Sequence, residues 1–168
     1  MTETRVNEDS PLVTPRMRER LGVWTGWGPP SPPISESDIR RWAIAVYWPH
    51  TPPRLYWDDT YAQTTRWGGI VAPAEFNPFA WPPPDQHPAT PPRGERSERT
   101  VRRVNGGSRI RFGAVMRPGD RIEARSRLER WRAKEGNTGE LLLVDFRHEW
   151  RNHRGEPVRD AVHTLIYR

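Results

Sequence analysis

The chain has no cysteine, which excludes a disulfide brace, a thiolate nucleophile and a zinc–thiolate centre together. Lysine is nearly absent as well: Lys134 is the only one, so the net charge of +6 is carried almost entirely by arginine. No apolar run approaches the ~20 residues that cross a bilayer, so no membrane partner is expected. No glycine-rich phosphate loop occurs. The five histidines include no H-x-H pair and no helical i, i+4 pair, so no metal site is expected; the function read below requires no redox cofactor either. Residues 1–10 are polar and acidic rather than basic and then apolar. That predicts no secretory leader and a cytoplasmic protein.

What the chain does have is 168 residues, enough for one domain with its own core, and nine tryptophans to fill it. Each buried aromatic removes ~150–250 Å² from water. The arginine excess suits a polyanion, but nucleic-acid binders gather their cations on one helix or arm. Here small groups such as Arg102 with Arg103, and Arg109 with Arg111, are scattered along the chain. A solvated basic surface, or a rim for the phosphates of a CoA ligand, fits that scatter better than nucleic acid does.

Residues 1–17 lack periodicity and read as a flexible lead-in to a single domain over 18–168, with Arg18–Trp24 as a short strand. The prolines of 29–33 make a loop. Ser35, with Asp38 three residues on, opens a helix whose inner face is Ile39, Trp42, Ala43 and Val46. Pro49 ends it. A second helix is predicted over Ala74–Trp81, with Phe76, Phe79 and Ala80 inward; Pro78 cuts it short and Pro82 stops it. A mobile proline-rich loop is predicted over 82–98. From Val101 the pattern is β: Ile110, Phe112, Ala114 and Met116 alternate, then Ile122, Ala124, Ser126 and Leu128. A turn at 135–139 leads to Leu142, Val144, Phe146, His148 and Trp150 on one face of the next strand. A second turn at 152–156 precedes Val158, Asp160, Val162, Thr164 and Ile166 on the last. Two early helices followed by antiparallel strands make an α+β fold.

The stretch Leu55–Pro73 organises the rest. Asp58 is placed to cap a short helix, Gly68-Gly69 to stop it, and Pro73 to open a new one. A helix start of that kind offers free N–H groups to a polarised oxygen. The residues Leu55-Tyr56-Trp57-Asp58, Tyr61-Ala62 and Gly68-Gly69-Ile70-Val71-Ala72-Pro73, followed later by Arg117-Pro118-Gly119-Asp120, resemble the MaoC-like hydratases and dehydratases. The likeness is to their N-terminal, fungal fatty-acid-synthase-like dehydratase branch, and it runs from about Ile34 to the C-terminus. It implies a hotdog fold, a curved antiparallel sheet wrapped around a central helix, here the short one at Ala74–Trp81.

The resemblance also implies a site. Catalytic members carry an Asp and a His five residues apart before the central helix, and these activate water. Laid on this chain, the two positions hold Thr51 and Tyr56. Tyrosine titrates near ~10 and threonine not usefully, so neither is a base near neutral pH. Candidates to replace them are His50, which otherwise reads as an exposed loop histidine, and His148, which otherwise reads as a packed core histidine. Ala74 takes the N–H donor position, and Gly69, Ala72, Trp57 and Phe76 complete the implied substrate-binding set. The implied function is a subunit of an enoyl-CoA hydratase or 3-hydroxyacyl-thioester dehydratase, as its non-catalytic, substrate-accommodating half. Its ligand is then an acyl-CoA or acyl-carrier-protein thioester, and its partner a hotdog chain with the intact pair. Two alternatives stay open: a homodimer catalysing alone through His50 or His148, and a non-enzymatic acyl-CoA-binding module.

Overall fold

A computed structural model describes residues 10–79, 102–136 and 139–168. The expected loop at 82–98, the far end of the helix ending at Trp81, and the tip of the turn at 135–139 lie outside the described residues, as do the first nine. The elements are α1 (Pro15–Arg20), α2 (Glu36–Tyr47), a 3-10 turn at Arg54–Tyr56, α3 (Asp59–Gln63), β1 (Arg103–Phe112), β2 (Ile122–Gly136), β3 (Gly139–Asn152) and β4 (Pro157–Tyr167). The four strands form one antiparallel sheet in the order β1-β4-β3-β2. Among the described residues no helix is long and apolar enough to cross a membrane.

The α+β plan and four antiparallel strands stand, although β1 ends at Phe112 and leaves Ala114 and Met116 in the following loop, and α2 is capped by Ser35, whose hydroxyl accepts from the Asp38 N–H at 3.0 Å. Four local expectations fail. Arg18–Trp24 is not a strand: Thr14 caps α1 and Pro15 opens it, a helix start stronger than the weak alternation that follows. Val13 and Met17, inside the stretch expected to be loose, are buried. Ala74–Phe79 is not helical: it is a turn closed by the Phe76 N–H on Pro73 O at 2.9 Å, then irregular chain through Phe79. Two prolines within six residues remove donors and push their predecessors out of the helical region. Val46, expected inward on α2, is 56% exposed.

One face of the sheet is the inner one, and two apolar clusters cover its ends. Met17 and Val13 pack on Leu128, Trp131, Leu142, Val144 and Phe146. At the other end Ile34, Ile39, Ala62, Ala72 and Phe76 pack on Met116 and Ile122. Fully burying one such side chain contributes about 1.5–3 kcal/mol. A bulge between Leu128 and Arg130 lets Leu128 and Trp131 both face inward although an odd number of positions separates them.

The outer face is ionic. Arg147 meets Asp160 at 2.9 Å and Glu149 at 3.8 Å, while Arg125 meets Glu149 at 2.6 Å. Arg130 reaches buried Asp145 at 2.7 Å. Trp24 lies against Arg125 and Arg127, and Trp27 against Arg125 and Arg151, at 4.0–4.6 Å. Much of the arginine excess is thus paired on one face rather than offered to a polyanion.

The free edge of β2 is closed by residues 22–34. The N–H groups of Gly22, Thr25, Gly28, Ser31 and Ile34 donate at 2.8–2.9 Å to the carbonyls of Leu128, Ser126, Ala124, Ile122 and Asp120. One residue in three bonds, and Pro29, Pro30, Pro32 and Pro33 occupy the positions between, where no donor is needed. The cover leaves β1 as the sheet's other edge.

Candidate functional site

The motif stretch folds as its residues dictate. Asp58 caps α3 by accepting from the Tyr61 N–H at 3.0 Å and pairs with Arg54 at 2.7 Å. Those contacts, the backbone N–H first and Arg54 second, hold its carboxyl below the usual range. Asp58 is therefore a cap and not a proton acceptor near neutral pH. Gly68, at φ +63°, takes the left-handed turn after α3, and the Gly69 N–H returns to Ala62 O at 3.1 Å.

Tyr56 sits half-buried beside Tyr47, with ring centroids 6.2 Å apart. Burial and then the Tyr47 phenol push its own phenol above the ordinary value, further from a neutral-pH base. Thr51 and His50 are exposed on the loop after α2. Trp57 donates its indole N–H to Pro52 O at 3.0 Å, tying that loop. Ala72 is buried with its N–H on Met116 O at 2.8 Å, and Phe76 is buried edge-on against Trp42 at 5.6 Å. Ala74 is exposed and precedes no helix within the described residues, so no helix start aims donors from it.

A cleft of about 730 Å³ lies on the inner face of the sheet between the two apolar clusters. Its apolar lining includes Trp42, Phe146, Trp150 and Leu165. Polar groups enter from β3 and β4 as His148, His163 and Arg159, from β1 as Arg103 and Asn105, and from the 73–79 segment as Glu75 and Asn77. Of the candidate site residues named from the sequence, only His148 lines this cleft; Gly69, Ala72, Trp57, Phe76, Ala74, Thr51, Tyr56 and His50 do not.

His148 and His163 meet edge to face with centroids 5.3 Å apart. Burial, and then the nearby Arg159 charge, push the His163 imidazole below its ordinary value and keep it neutral at pH 7. Arg159 lies over Trp150 at 4.7 Å, and its Nε is buried with no hydrogen-bond partner. Such an arrangement can receive a flat apolar group and hold an oxygen at its cationic end. A signal for His163 and Arg159 was available. In the β3–β4 hairpin Phe146 faces His163 and His148 faces Ala161, so even residues of β3 share a face with odd residues of β4. The alternation Val162, Thr164, Ile166 lies on the opposite face and hides this.

The sequence matches, over residues 20–161, the family model described as FAS1-like, dehydratase domain region. No curated protein matches it. Among solved structures, the fold is similar to the ChsH1–ChsH2 complex from Mycobacterium tuberculosis, with TM-score 0.62 and 17% identity over 84% of this chain and 83% of that one. It is also similar to the HadBC 3R-hydroxyacyl-ACP dehydratase complex from the same organism, with TM-score 0.59 and 19% identity over 88% and 96% of the two chains. A third likeness is the (R)-hydratase from A. caviae, at TM-score 0.53 and 13% identity over 84% and 96%. At such identities these likenesses establish the shared hotdog-type fold.

Proposed function

The chain belongs to the FAS1-like dehydratase-region family, and within it we propose that it is the non-catalytic, substrate-accommodating half of a MaoC-like hydratase or dehydratase acting on enoyl or 3-hydroxyacyl thioesters. The observation that carries this reading is Tyr56. At the position where the resemblance expects an imidazole stands a phenol that burial and Tyr47 move further from neutrality. Thr51 supplies no carboxylate to orient water. The inner-face cleft, within the ~300–1,000 Å³ typical of ligand sites, supports a role in accommodating a bulky acyl group. Relatives of the fold that are complexes of two chains, ChsH1–ChsH2 and HadBC, support a hotdog partner that carries the intact pair.

The test is hydration of a series of enoyl-CoAs by the chain alone and together with the chain that co-purifies with it. The expected outcome is no turnover alone and turnover in the complex, lost when the partner's histidine is replaced and kept in Tyr56→Phe. One rival has an observation behind it: His148 and His163 meet inside the cleft, and a neutral His163 is a base. In that reading the chain is a self-sufficient homodimer. Turnover by the chain alone that vanishes in His148→Ala or His163→Ala would replace the first reading with it.

A further inference from the structure

We propose that the inner-face cleft is a binding site for an organic carboxylate with a flat apolar body, its anionic end held by Arg159. The guanidinium sits where a cation is costly unless it is answered. Its Cζ lies over the Trp150 ring at 4.7 Å, and its Nε is shut off from solvent without a hydrogen-bond partner. A buried N–H left unmade is destabilising, so a retained one at the wall of a cleft points to an acceptor that arrives with a ligand. Burial lowers the Arg159 pKa, and the Glu75 charge opposes that shift. Glu75 is exposed at the rim, and no ion pair joins it to Arg159 among the described residues.

The surroundings choose the ligand class. A guanidinium edge offers Nε and one terminal nitrogen as parallel donors, which match the two oxygens of a carboxylate. A phosphate spreads its charge over three oxygens and would have to draw on Arg103 or Asn105 from β1 as well, which the CoA and phosphate arms of the test below read. Trp42, Phe146 and Trp150 then receive a ring system or other flat hydrocarbon, and about 730 Å³ holds one of several rings. Under the function proposed above, which this identification rests on, the occupant is an acyl group that carries a second carboxylate away from its thioester. The carboxylate site itself does not depend on that reading.

The test uses the full chain and calorimetric titration with naphthoate and its neutral isostere naphthamide. Naphthoate is expected to bind and naphthamide to bind about 10–100-fold more weakly, the scale of a charge-assisted hydrogen-bond pair. Arg159→Gln should bring the acid down to the amide, and Arg159→Lys should keep part of the preference. CoA and inorganic phosphate should not displace naphthoate. Equal binding of acid and amide by the native chain overturns the site, as does an acid preference that survives Arg159→Gln. Displacement by CoA that requires Arg159 moves the anion from the acyl group to a phosphate and overturns the carboxylate assignment. The hydration assay is independent: partner-restored turnover without an acid preference sinks this site alone. An acid preference in a chain that no partner activates sinks only the hydratase reading.

Discussion

Single residues decide where this fold tolerates no change and where its charge balance shifts with pH. A Cβ on Gly113 would lie 2.3 Å from the carbonyl oxygen of Pro157. That contact is backbone, so β1's end would have to part from β4 where the Gly113 N–H bonds Val158 O at 2.9 Å. Gly113→Ala should destabilise by about 1–3 kcal/mol, the usual scale of forced overpacking, and a urea midpoint measures it. His163 sets a pH response. Its folded pKa lies below the unfolded value, so the unfolded chain binds the proton first as pH falls. Stability is therefore full above about pH 6.5 and declines below it toward the lowered folded value. His148, in ring contact, and Arg159 face the same group, and the Arg159 charge opposes its protonation. The unfolding midpoint should fall as pH drops through that window, and His163→Phe should flatten the fall. An unchanged slope would remove His163 as the cause.

At the scale of elements, the segment 22–34 makes the sharpest test of how β2's edge is closed. Four prolines are tolerated there because they fall between the donors, whereas Ser31 is a donor with 3% exposure. Its N–H bonds Ile122 O at 2.8 Å, and its hydroxyl accepts the Ile122 N–H at 3.0 Å. Ser31→Pro loses both and leaves buried groups unmade, at about 1–3 kcal/mol for each such group. Ser31→Ala, which keeps the backbone donor, should cost visibly less. The loop at 116–120 is held in a comparable way. Asp120, 1% exposed, accepts from the Arg117 N–H at 2.8 Å and from Arg154 at 2.9 Å, joining that loop to the turn between β3 and β4. Asp120→Ala should lower the thermal midpoint, and Asp120→Asn should restore part of the loss.

For the whole molecule the proposal of a partner chain makes a prediction about edges. With β2 covered, β1 is the strand left to pair, and its residues are exposed apart from half-buried Ile110, with Phe112 at 47%. If assembly extends the sheet edge to edge, amide exchange should slow in β1 on adding the partner and stay unchanged in β3. Slowing confined to the exposed Trp48 region would place the contact on the loop after α2 instead.

Local chemistry was enough to read α2 with its Ser35 cap, the Asp58 cap and Gly68 stop of α3, and the four strands with their α+β plan. Each depends on residues within a few positions of one another, and the motifs at 55–73 and 117–120 carried the family. Laid on the family resemblance, the sequence also put Thr51 and Tyr56 at the positions of the Asp and His, which is the ground of the function proposed above. What it did not show depends on residues far apart. Met17 is buried because β2 and β3 offer it a surface, not because of its neighbours. The 73–79 segment gave up helix for turn and irregular chain, yet it still delivers Glu75 and Asn77 to the cleft. His148, His163 and Arg159 meet only through the β3–β4 register, which the turn at 152–156 fixes and which sets even positions against odd. Strand periodicity says that residues alternate; only the pairing of strands decides which face is inside.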